Sequence, residues 1–227
     1  MGAAVTHSPA EPGAASPRQA GFRYGAVFAI TLVVVVFVIV APAEDWSNAL
    51  VIALQSAALV IAVATSRARA DVRRVRGIVV ALAALTLTLA VAAGVLPQWA
   101  VLVAGGLISL AIPLTLIGGL LRLVRRHGVT LQAVAGSLAI YLCLGVAFAW
   151  VIGLVARIDS APYFTNGTDA TESARVYFSF TVLTTTGFGD LTAAEPVGRA
   201  LAVVEMLLGQ LYLVTVIGVL VGSFGRR

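Results

Sequence analysis

Thr185-Thr186-Gly187-Phe188-Gly189-Asp190 is the stretch whose reading decides the fold. Its two glycines let the backbone point successive carbonyl oxygens to one side. Oxygens arranged in that way can replace the water shell of a dehydrated cation. The bland alternative is a solvent-exposed turn, because Gly and Asp both favour turns. The surroundings separate the two readings. The run follows a short helical stretch and lies between two apolar segments, each long enough to cross a bilayer.

The whole chain shares that apolar character. Its 227 residues are 60% hydrophobic and 11% charged, with a mean hydropathy of +1.01, where an ordinary soluble domain carries roughly 25% charge. An integral membrane protein with several spanning helices follows. The lone cysteine, Cys143, lies in an apolar segment and reads as a small buried residue, so no disulfide can form within the chain.

Six spanning segments are expected, at about Tyr24–Ala41, Ala49–Ser66, Gly77–Leu96, Trp99–Leu121, Leu131–Val155 and Val197–Ser223. Pro113 and the pair Gly118-Gly119 point to a kink in the fourth. Residues 1–21 are rich in Ala, Gly, Pro and Ser and read as a disordered cytoplasmic tail. Residues 22–130 form a four-helix N-terminal membrane region, and 131–227 a separate module. About forty residues, Ala156–Pro196, separate the last two spans and hold the opening motif.

Arginine placement orients these spans. With the N-terminus inside, twelve of the fifteen arginines fall on the cytoplasmic side, including Arg67–Arg76 and Arg122, Arg125 and Arg126. Only Arg157, Arg175 and Arg199 stay outside, with most of the acids. Both termini are therefore expected in the cytoplasm and the motif on the outer face. The positive charge is read as topology, with membrane lipid as partner and no nucleic acid.

In this setting Thr-x-Gly-aromatic-Gly-Asp resembles the selectivity filter of the tetrameric potassium-channel pore family, of the ion-channel-2 type. The resemblance covers about residues 131–227 in the order outer helix, turret, re-entrant pore helix, filter, inner helix. It implies an all-α membrane protein in which four copies of the chain close one pore, and K+ as permeant ion with no cofactor. Thr185 then offers its hydroxyl and carbonyl to the innermost ion site. Thr186, Gly187 and Phe188 offer carbonyls above it, and Gly189 the outermost. Thr186 and Phe188 replace the usual Val and Tyr without removing a carbonyl. The Phe188 ring is expected to pack against Tyr177 and Phe178. Thr181 takes a place behind the filter where some members carry an acid, so Asp190 needs other partners.

The pore helix is expected at Glu172–Thr184, capped by Asp169 or Thr171, with free carbonyls at its inner end facing the ion. The inner helix opens Val197-Gly198-Arg199, an opening that resembles minimal bacterial members. It places Gly209 at the family's hinge position, where the alternative is close helix packing. Gln210, Leu213 or Val214, Ile217 and Val221 recur at helical spacing. The resemblance makes them the cavity face, with Ile217 and Val221 at a narrow apolar gate. Glu205 is the one ionisable residue well inside a span, a placement that costs about 2.5–3.5 kcal/mol without a partner. It is expected to bond Thr181 or Thr184 and stiffen the filter. The alternative is a lipid-side acid, snorkelling or protonated.

The first four helices carry no motif of their own. A voltage sensor needs arginines at every third position within a span. The segment Trp99–Leu121 has none, so little voltage dependence is expected. An enzyme is disfavoured: His7 and His127 are the only histidines, and no catalytic motif surrounds them. A transporter would show a re-entrant segment in both halves. A weakly selective cation pore and a non-conducting regulatory membrane subunit stay as alternatives.

Overall fold

A computed structural model describes residues 17–42, 44–65, 70–158, 161–169, 171–219 and 222. Seven α-helices account for most of them: α1 (Pro17–Val40), α2 (Asp45–Thr65), α3 (Ala70–Ala92), α4 (Gln98–His127), α5 (Leu131–Ile158), α6 (Glu172–Leu183) and α7 (Pro196–Tyr212). A π-helical turn, Leu213–Ile217, continues α7. No strand forms among the described residues, apart from one isolated bridge between Phe164 and Ala193.

Four helical stretches are long and apolar enough to cross a membrane: Trp46–Ala64, Gln98–Arg125, Leu131–Ile158 and Pro196–Val216. The first and third expected spans appear as shorter apolar helices, Tyr24–Val40 and Gly77–Ala92. Helix α1 starts at Pro17, inside the expected tail; residues 1–16 lie outside the described residues. Helix α4 runs unbroken through Pro113.

Helix α5 is the centre of the molecule. It packs on α4, α1, α6 and α7, and its alanines and glycines are buried on several faces. In lipid no hydrophobic force drives two helices together, so close approach of small residues supplies the association. At Gly145 the ring of Phe180 occupies the place of a side chain: an added Cβ would sit 2.7 Å from it. Two apolar clusters join α5 to the N-terminal helices. One gathers Val34, Val38, Ile52, Leu102, Trp150 and Val176. The other includes Tyr24, Ala62, Ile112, Leu116 and Cys143.

Helix α3 lies against α2 and leaves Leu82, Leu85 and Leu89 exposed. Its Thr86 and Thr88 hydroxyls turn back to carbonyls of their own helix, which keeps them satisfied on an apolar surface. The short helix α6 is wedged between α5, α7 and α1. That wedge positions the loop that follows it.

Candidate functional site

The site is built outward from α6. Thr171 caps the helix, its side chain accepting from the Ala174 amide. Asp169, the other expected cap, accepts instead from the Tyr163 amide. Buried residues on α6 are Arg175, Val176, Phe178, Ser179, Val182 and Leu183, one continuous helical stripe. Tyr177, Thr181 and Thr184 lie on the other side, part-exposed or exposed.

At the C-terminal end of α6 the chain turns on its own helix. The amide of Thr185 donates to Val182 O, and those of Thr186 and Gly187 both donate to Thr181 O. Tyr141 donates to Leu183 O. The helix's last carbonyls are therefore not free, as the sequence led one to expect. They anchor the first half of the motif. Thr181 takes part through its backbone; its hydroxyl turns back to Phe178 O.

Through the motif the backbone alternates in handedness. Thr185, Gly187 and Gly189 have φ of 58°, 54° and 82°, while Thr186 and Phe188 stay outside the positive region. Left-handed backbone costs a side-chain-bearing residue roughly 1–2 kcal/mol, so two of the three positions being glycine is what makes the alternation affordable. Alternating handedness turns successive peptide units to the same side. The whole run from Thr184 to Asp190 is exposed in the single chain, and the Thr184 and Thr186 hydroxyls are 2.8 Å apart.

Phe188 stacks on Tyr177, with centroids 6.2 Å apart and planes 5° apart. Tyr177 is also hydrogen-bonded to Asp190, which gives that acid its partner. Phe178, the other expected neighbour of Phe188, packs instead edge-on against Phe164 at 5.1 Å. This follows from Phe178 lying on the buried stripe and Tyr177 off it.

Glu205 is fully buried, 0% exposed, on α7. Its partner is Ser179, not Thr181 or Thr184. Both threonine hydroxyls are taken up by carbonyls of their own helix. Ser179 is the one hydroxyl on the buried stripe of α6, a face that the packing of the helix defines.

The loops on either side of the motif are stitched to each other. Thr165 N donates to Thr192 O, and Ala194 N to Tyr163 O. Arg199 reaches back from α7 to Ala193 O and Ala194 O. Asn166, Gly167 and Thr168 form a turn with Gly167 at φ 81°. The Tyr163 hydroxyl donates to Gly198 O, and burial pushes this phenol above its usual range.

Further along α7, Gly209 is buried against the end of α6. A Cβ there would lie 2.2 Å from Leu183 O, so close packing by itself requires glycine. The face expected from Gln210 to Val221 is not one α-helical stripe. The π-helical turn at Leu213–Ile217 interrupts it, and the Thr215 hydroxyl, bonded to Leu211 O, competes there for a helix carbonyl. Gln210 is exposed and Leu213 part-exposed. Val221 and the Ile217 side chain lie outside the described residues.

Residues 137–225 match the family model described as an ion channel. No curated protein and no solved structure matches the chain. The match begins within α5 and includes every residue of the exposed, handed loop.

Proposed function

We propose, on the premise that residues 137–225 belong to the ion-channel family, that the protein conducts K+ passively and selectively through a homotetrameric pore. An ion channel is a non-enzymatic conductor, so the absence of a catalytic motif needs no further account. The observation that carries the selective reading is the alternating handedness of Thr185, Gly187 and Gly189. Such a backbone offers a column of carbonyls from Thr185 to Gly189, and K+ exchanges its water shell for them. One column per chain cannot surround an ion; four around an axis can.

The exposed apolar surface of α7 supports that assembly. Val203, Val204, Leu207, Leu208 and Leu211, with Val214 in the turn that follows, are exposed in one chain, and neighbouring copies would cover them. In this reading the chain crosses a cell membrane six times with both termini in the cytoplasm. The shorter apolar helices Tyr24–Val40 and Gly77–Ala92 then complete the crossings with help from their flanking turns. Gln210 faces the ion below the filter, and Gly209 together with the π-turn forms the place where the inner helix bends.

The decisive measurement is the reversal potential of the purified protein in a planar bilayer, with K+ on one side and Na+ on the other. A selective pore reverses strongly in favour of K+. A reversal near zero makes it a weakly selective cation pore, and no flux at all makes it a non-conducting subunit.

A further inference from the structure

We propose that Glu205 is held as a neutral carboxylic acid that donates its proton to Ser179, and that this proton orders a hydrogen-bond chain from α7 through α6 to α5. The argument is a count of hydrogens. Ser179 Oγ lies 2.7 Å from Gly145 O and 2.5 Å from Glu205 Oε1. Two oxygens at such separations need a hydrogen between them. A serine hydroxyl has one hydrogen, and a backbone carbonyl has none to give. Ser179 must therefore donate to Gly145, and the hydrogen toward Glu205 must come from Glu205.

The surroundings agree with the count. Glu205 is 0% exposed, and its Oε2 has no hydrogen-bond partner among the described residues. An ionised carboxylate in such a place needs several donors or a cation. The titratable groups on the neighbouring elements are committed elsewhere. Tyr141 on α5 gives its hydrogen to Leu183 O, and Tyr163 in the preceding loop gives its own to Gly198 O. On α6, Tyr177 is bonded to Asp190, and Arg175 packs over Gly153 near Glu172, at the helix start. On α7, Arg199 is bonded to Ala193 and Ala194 carbonyls.

Glu205 is thus a positioning residue. The chain Glu205–Ser179–Gly145 ties the middle of α6 to α7 and to α5 at once. If Glu205 loses its proton, Ser179 must turn its only hydrogen to the carboxylate and release Gly145. The tie to α5 is then lost, and the loop at the end of α6 is held from α7 alone. This consequence rests on the conduction proposed above; the protonation itself does not.

The test is infrared spectroscopy of the full chain in liposomes, with isotope-labelled glutamate, at neutral pH. Wild type minus Glu205→Gln is expected to show the carbonyl stretch of a protonated acid. Ser179→Ala is expected to shift that band to higher frequency without removing it, which supplies a second readout should Glu205→Gln fail to fold. Carboxylate stretches in place of the acid band would overturn the proposal. In parallel K+ flux, Glu205→Gln keeps within about twofold of wild type, because the neutral amide retains a donor. Wild-type flux falls as alkaline pH removes the acid band, and the Gln variant does not follow. Flux unmoved while the band disappears would overturn the coupling. An acid band in a protein without flux would uphold the protonation and sink the conduction reading instead.

Discussion

The carbonyl oxygen of Leu183 is approached from two helices at once. Tyr141 donates to it from α5, and α7 passes so close at Gly209 that no side chain fits between them. Two expectations follow. Gly209→Ala puts a methyl group against a backbone oxygen that cannot swing aside, and it should cost about 1–3 kcal/mol. Thermal unfolding in detergent would show it, and an unchanged midpoint would mean that α7 can slide outward freely. Tyr141→Phe removes only the donor and should cost about 1 kcal/mol, read in the same assay. At the opposite end of the loop, Tyr177→Phe keeps the stack on Phe188 but loses the bond to Asp190. Decay of K+ current during sustained conduction should become faster; an unchanged time course would show that Asp190 is held some other way. Gly209 shows how far a sequence can be read at this scale. Its position in an apolar helix left hinge and packing both open, and only the neighbouring oxygen shows that packing is required.

At the scale of elements, α6 was the most legible part and also the source of the misplaced partners. Its length, its acid in the first turn and its cap at Thr171 all follow from local chemistry. Replacing Thr171 by Ala should cost about 1 kcal/mol of helix stability. Faster amide exchange confined to the first turn of α6 would report it, while no change would mean that packing alone fixes that end. What local chemistry does not contain is the direction in which each side of the helix faces. Thr181 and Thr184 are one turn apart near the end of α6 that leads into the motif, and Glu205 was expected behind that motif, so they looked like its partners. Packing of Phe178 against Phe164 and of Phe180 over Gly145 rotates the helix so that Ser179 meets the acid instead. The π-turn after α7 was illegible for a related reason. A threonine hydroxyl that competes for a helix carbonyl is common in spanning helices, and nothing in the residues Leu213–Ile217 marks this one as widening the helix.

For the molecule as a whole, composition carried most of the reading. The all-helical membrane class is recovered; among the described residues four helices are long and apolar enough to cross a membrane, while α1 and α3 carry shorter apolar stretches, Tyr24–Val40 and Gly77–Ala92. Helix α4 has no charged residue from Gln98 to Leu121, and Arg122 at its end bonds the Gly118 carbonyl of its own helix. With no charge to move through the field, K+ conductance should change little between strongly negative and strongly positive potentials. Bilayer recordings across that range check this, and a steep sigmoidal dependence would require gating charge that α4 does not contain.

The contact between Ser173 and the Ile39 carbonyl, 134 positions apart in the chain, has a consequence for how the molecule is made. Helices α1 to α5 all leave the ribosome before α6. The groups that receive α6 are therefore in the membrane first: Ile39 at one end, Gly145 in the middle, Tyr141 at the other. Every one of those partners precedes the loop from Thr185 to Gly189 in the chain, and only α7 follows it. A chain synthesised without its first helices would present α6 with its middle and C-terminal contacts and without the Ile39 anchor at its N-terminal end.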